Sequence, residues 1–232
     1  MENITLNQIA YGIFEIARIK LSDDDDISID LIKDYVHSTR ARLLEQKFNK
    51  NARIIEDVYT QSLGPIEIEA VDSSLHPTLK SGRYMFRTIE EIPATIDRKN
   101  YEGTFVRIGP ADQLGVEYNL VSYNRALFSG NGRFNKDTVF CFLRDNRIYL
   151  ISNSGLIHKG IQFIDVIGVF ENPSQVARFK DSNGNSLYSD SGRYPVSRTL
   201  ADDIQNVIFK EKFGIKVNIP PDIQNDGTQK IQ

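Results

Sequence analysis

From Leu6 onward, apolar residues recur at helical spacing: Leu6, Ile9, Ala10, Ile13, Ile16 and Ala17 follow one another at three- and four-residue steps, the signature of an amphipathic helix. Thr5 followed by Gln8 has the form of a capping box, so a first helix is expected to run to about Leu21. A second helical pattern starts at Ile29 and passes through Ile32, Val36, Leu43 and Leu44 to Phe48. It is rich in good helix formers and is free of Gly and Pro. Between the two, residues 22–26 (SDDDD) place four carboxylates just ahead of a helix, where the positive end of the dipole favours them, with Ser28 or Asp26 as the cap. The two helices are expected to pack as a hairpin.

After Leu63-Gly64-Pro65 the period changes. Ile66, Ile68 and Ala70 alternate with Glu67 and Glu69, the two-residue repeat of a half-buried strand. Residues 104–108, 138–143, 147–152 and 161–170 are rich in β-branched and aromatic side chains and bounded by Gly, Asn or Asp, and read as strands of one antiparallel sheet or small barrel. The short polar connection Asp145-Asn146 between two apolar strands predicts a tight hairpin. Residues 181–192 carry loop chemistry. Pro195 to Ser197 then open a last helical pattern through Leu200, Ile204, Val207, Ile208 and Phe213, ended by Gly214. The remainder, with its Pro220-Pro221 pair, predicts an extended tail. The expected fold is therefore α+β: an N-terminal helical hairpin plus the C-terminal helix forming a helical bundle, with an inserted antiparallel β domain. The corresponding division is 1–62 helical module, 63–172 β domain, 173–215 loop and closing helix, and 216–232 tail.

Composition narrows the class. In 232 residues, 28 Lys and Arg stand against 31 Asp and Glu, and a net charge of -3 provides no global attraction to a polyanion, so any DNA contact must come from a local patch. The single cysteine, Cys141, lies in an apolar run and has no internal partner, which predicts a chain made in a cytoplasm. Glu15 and Arg18 interrupt the opening apolar pattern, unlike a signal peptide. No stretch reaches the roughly 18 apolar residues of a membrane span.

Candidate chemistry is sparse. His37, His76 and His158 stand apart from any cysteine or carboxylate at metal-ligand spacing, and neither a metal nor another cofactor is expected. Residues 129–135 (SGNGRFN) lack the GK[ST] ending of a phosphate loop, and no GxSxG elbow surrounds a serine. A carboxylate-based enzyme would need two acids such as Asp97, Glu102 or Asp112 to converge in a cleft, which nothing in their spacing requires; the expectation is a non-enzyme. Two groups of residues suit interfaces better than catalysis. Tyr123, Arg125, Phe128, Arg133 and Phe134 interleave aromatics with arginines, the types enriched in protein interfaces, and form a candidate subunit or ring contact. Arg40, Arg42 and Lys47, with Lys50 and Arg53 beyond them, form a candidate basic face toward DNA or an acidic partner.

The segment from residue 91 to 152, with later islands VFENPSQV, GRYPVS and PPDIQNDG, resembles a family of structural proteins of crAss-like phages, similar in role to the adaptor or head-completion proteins beneath other phage portals. That resemblance implies a homo-oligomeric, dodecameric ring in the virion, assembled in the host cytoplasm. The ring would dock to the portal protein on one side and to an adjacent connector or tail ring on the other, with double-stranded DNA passing through its lumen without sequence-specific binding and no membrane involved. It also implies that the tail, with Ile219, Pro220, Pro221, Asp222, Asn225 and Asp226, contacts the portal. A reading of a different class is a monomeric binding module that uses the arginine and aromatic loop on nucleic acid or a host protein.

Overall fold

The computed structural model describes residues 4–20, 27–50, 55–71, 84–98, 103–126, 128–129, 138–152 and 160–214. Helix α1 (Leu6–Lys20) starts at the predicted capping box: the Thr5 amide donates to Gln8 Oε1 over 3.0 Å, and the Gln8 amide donates to Thr5 Oγ1 over 3.1 Å. Helix α2 (Ile29–Lys50) is capped by Ser28, whose hydroxyl accepts from the Leu31 amide at 3.2 Å. A 3₁₀ turn, Asp57–Tyr59, leads into strand β1 (Gln61–Ala70), followed by β2 (Tyr84–Thr88), β3 (Phe105–Pro110) and the two-residue β4 (Asn119–Leu120). A single helical turn α3 (Tyr123–Ala126) precedes β5 (Phe140–Arg144), β6 (Arg147–Ser152) and β7 (Phe163–Gly168). A second 3₁₀ segment, Pro173–Arg178, and an irregular stretch then bring the chain to helix α4 (Arg198–Glu211), capped by the Ser197 hydroxyl.

The seven strands form one sheet in the order β3-β7-β1-β2-β6-β5-β4. Neighbours are antiparallel except for the parallel β4–β5 pair. Between β5 and β6, Asp145 and Asn146 both take left-handed φ values, 50° and 56°, as a type I′ hairpin turn requires, and Arg144 pairs with Arg147 across it. The sheet curls until its ends nearly meet, because the Tyr118 amide, just before β4, donates to the Ile108 carbonyl of β3 over 2.7 Å. Gly109 permits this closure: a Cβ there would lie 2.3 Å from the Val116 carbonyl oxygen.

This architecture corrects the expectation of a helical bundle carrying an inserted antiparallel β domain. Strands dominate the core, and the sheet is a barrel-like structure with one parallel pair. Inward side chains of the strands, among them Ile66, Ile68, Ile108, Cys141, Ile148, Leu150, Ile164 and Val166, share one continuous apolar core with Ile13 of α1, Val36 and Leu44 of α2 and Ile204 and Ile208 of α4. The helices do touch one another, yet their apolar stripes are completed by the sheet and not by a self-sufficient bundle. Helix α2 registers this in its buried set, which includes the polar His37, Thr39 and Arg40 beside Ile32, Val36 and Leu44, a wider arc than a helix packed on one side would bury. On the opposite face of β2, β5 and β6, Met85, Phe142, Tyr149 and Ile151 pack with Ala126 of α3 into a second, smaller cluster.

Candidate functional site

The basic stretch of α2 divides in the folded chain. Arg40 points inward and is fully buried. Its guanidinium donates through Nε to the Pro195 carbonyl at 3.0 Å, through Nη1 to the Phe170 carbonyl at 2.8 Å and through Nη2 to the Tyr59 carbonyl at 3.2 Å, and it lies 5.8 Å from the Tyr194 ring centroid. Burial pushes its pKa down from the ordinary arginine value, with the Tyr194, Tyr188 and Tyr59 hydroxyls acting in the other direction. A guanidinium starts so high that it remains charged. Arg40 is thus an internal tie joining α2, the 3₁₀ turn at Tyr59, the end of β7 and the approach to α4. Beside it, His37 Nδ1 and the Tyr194 hydroxyl share a 2.9 Å hydrogen bond. Burial and the neighbouring Arg40 charge pull the His37 pKa down to about 4.

Arg42 and Lys47 are on the surface, each engaged with an acid of this chain. Arg42 pairs with Glu211 of α4 at 2.8 Å. Lys47 pairs with Glu56 at 2.8 Å and donates to the Tyr59 hydroxyl at 2.7 Å, with its ammonium 4.5 Å from the ring centroid. Lys33 is likewise joined to Asp190 at 2.8 Å. Lys33, Arg42 and Lys47 are therefore cross-braces that join α2 to its neighbours.

The aromatic loop also divides. Tyr123 packs on Phe142, ring centroids 5.4 Å apart, and Phe142 stacks on Tyr149 at 5.1 Å, while the Arg144 guanidinium sits 5.0 Å from the Tyr123 ring. Tyr123 is consequently part of the smaller cluster. Arg125 is exposed, and Phe128 is 78% exposed. The turn that presents Phe128 is hydrogen-bonded: the Phe128 amide donates to the Arg125 carbonyl at 3.1 Å, the Ser129 amide to the Ala126 carbonyl at 3.2 Å and the Ser129 hydroxyl to the Arg125 carbonyl at 2.8 Å. Arg133 and Phe134 lie outside the described residues, as do the tail positions Ile219, Pro220, Pro221, Asp222, Asn225 and Asp226.

Among the described residues one cluster of carboxylates is perturbed: burial, and then the nearby charges of Asp97 and Glu45, push the Glu171 pKa up from the ordinary carboxylate value. Among the described residues no three His, Cys, Asp or Glu side chains gather as a metal site would require. Burial pushes the Cys141 thiol up to about 12, which suppresses the thiolate needed for nucleophilic attack. Asp97 and Asp112 are exposed, and Glu102, His76 and His158 lie outside the described residues. No helix among the described residues is long and apolar enough to cross a membrane. Arg107, which the sequence reading passed over, is held on the outer side of β3 by an ion pair with Asp165 of β7 and by donation to the Pro110 and Gln113 carbonyls at 3.2 and 3.1 Å. Arginine on an otherwise apolar edge strand was the available signal.

Phe128, solvent-facing on a hydrogen-bonded turn beside the exposed Arg125, is of the residue type that anchors protein contacts. Comparison with known families agrees: a family model described as phage tail ring protein 2 matches residues 8–231. The chain belongs to that family and is a structural ring protein of crAss-like phages, a component of the virion, in keeping with the resemblance read from the sequence. Comparison with curated proteins found no match.

Proposed function

We propose that this member of the phage tail ring protein 2 family is the repeating subunit of a closed, dodecameric ring that joins the capsid portal to the tail and surrounds the DNA channel. The observation that carries this reading is the near-complete family match together with a rigidly presented aromatic at the surface. A closed ring repeats one heterologous contact, and such contacts are centred on desolvated aromatic and arginine anchors. Phe128 and Arg125 are the proposed anchors, with Arg133 and Phe134 continuing the same loop in sequence. The lumen role draws support from charge: the net charge is -3, and Arg42 and Lys47 are neutralised by Glu211 and Glu56. A channel of this kind exerts little drag on passing phosphates. A non-catalytic, structural role follows from the same reading.

The test is imaging of the chain co-expressed with the portal protein of the same phage. A ring of this chain stacked on one end of the portal supports the proposal. A portal bare of the chain, with the chain recovered as a one-to-one complex with nucleic acid or a host protein, overturns it in favour of a binding module.

A further inference from the structure

A cleft of about 820 Å³ opens between α1 and the start of α4. Its floor is apolar, with Ile4, Ile9 and Ala201, and its rim carries Arg193, Arg198 and Asp202. Both arginines are exposed. Among the described residues neither makes an ion pair, whereas Lys33, Arg42, Lys47 and Arg107 all do. The apolar surface continues beyond the cleft. Gly12 of α1 faces Gln205 of α4, its Cβ position 3.6 Å from Gln205 Nε2, and Ile16 and Ile19 follow one and two turns along the same flank, Ile19 77% exposed.

The chain itself contains a segment of matching chemistry. Residues 219–227 (IPPDIQNDG) combine two isoleucines with Asp222 and Asp226 and hold no cation. The Pro220-Pro221 pair disfavours helical backbone at Ile219 and Pro220 by its chemistry alone, which lowers the entropy lost on docking at those positions. We infer that the cleft between α1 and α4 receives the 219–227 segment of a second copy of this chain, with its isoleucines on the apolar floor and Asp222 and Asp226 against Arg193 and Arg198. The inference rests on the ring reading, since a closed ring requires every copy to carry both halves of one contact at different places on its surface. The layout meets that requirement. The cleft lies at the N-terminal end of α4 and the tail departs from the other end, at Gly214, after a helix of about 21 Å. The resemblance assigns these tail residues to the portal; the chemistry of the cleft assigns them to a neighbouring copy.

Cysteine cross-linking in the full-length chain, without portal, tests this. With Gln8→Cys and Asn225→Cys together, mild oxidation is expected to yield covalent multiples of the chain on a non-reducing gel, absent from either single variant. Asp222→Arg with Asp226→Arg should lower the cross-linked fraction at least tenfold, and adding Arg193→Glu with Arg198→Glu should restore it. A bridge formed only within one chain, or a yield no higher than in the single variants, overturns the inference. The mass of the unoxidised sample, alone and with the cognate portal added, separates the two claims: a ring without cross-links removes this inference and leaves the ring reading standing, whereas a chain that stays monomeric and without cross-links in both samples removes both.

Discussion

Arg40 of α2 donates to the Phe170 carbonyl, two residues past the end of β7, across 2.8 Å. With its bonds to Tyr59 and Pro195, this fastens the helical layer to the barrel at one point. Truncation by Arg40→Ala would leave three buried carbonyls without a donor, and each such group costs about 1–3 kcal/mol. The variant is expected to lose about 3 kcal/mol or more of unfolding free energy, measured by urea denaturation. Arg40→Lys should recover only a minor part, because an ammonium cannot reproduce the planar fork. A loss below about 1 kcal/mol would show that the tie is dispensable.

Acidification should weaken the fold through His37. Its folded pKa is about 4, below the ordinary 6.5 of the unfolded chain, so the unfolded state takes up a proton first as pH falls. The stability due to the neutral ring is present above pH 6.5 and is lost progressively between about 6.5 and 4. Between pH 7.5 and 4.5 the wild type should lose about 2–3 kcal/mol more than His37→Gln, read from urea midpoints at the two pH values. Equal losses in both proteins would refute the assignment.

Closure of the sheet depends on Gly109. The Val116 carbonyl oxygen lies 2.3 Å from where a Cβ would stand, so Gly109→Ala must push the loop at 111–118 away and strain the Tyr118–Ile108 hydrogen bond. A loss of about 1–3 kcal/mol is expected in thermal or urea unfolding, with amide exchange at Tyr118 accelerated. Unchanged exchange at Tyr118 would mean the loop accommodates the methyl without opening the barrel.

Much of this was legible along the chain. The capping box at Thr5 and Gln8, the Asp145-Asn146 turn and the Ser197 start of α4 are local features fixed by backbone chemistry within a few residues, and they stand where the sequence put them. The five strands with clear alternation or β-branched runs are present as well. β2 and the two-residue β4 escaped detection because short strands carry too little periodicity, and what holds them is pairing with β6 and β5. The bundle expectation failed for a related reason: a helical stripe records that one face is buried, not what buries it. Arg40 illustrates the limit for the site. In sequence it is one cation in a basic run with Arg42 and Lys47, and only the approach of Tyr59, Phe170 and Pro195, 19, 130 and 155 residues away, turns it inward. Phe128 was legible as an interface residue type, although its separation from the packed Tyr123 was not.

Phe128 offers a clean separation of folding from assembly. It is 78% exposed, so Phe128→Asp should leave unfolding free energy within about 0.5 kcal/mol of wild type. If it anchors the subunit contact, the same change should weaken ring formation about thirtyfold, corresponding to the ~2 kcal/mol of an interface hot spot. Size-exclusion chromatography over a concentration series reads the effect, and full assembly of the variant would remove Phe128 from the interface.

The most direct measurement is the native mass of the purified chain, alone and mixed with the cognate portal. A ring subunit is expected to give one discrete ring-sized species, twelve copies in the proposed dodecamer, formed by the chain itself or on addition of the portal. A monomer that stays monomeric across concentration and ignores the portal would contradict the ring reading.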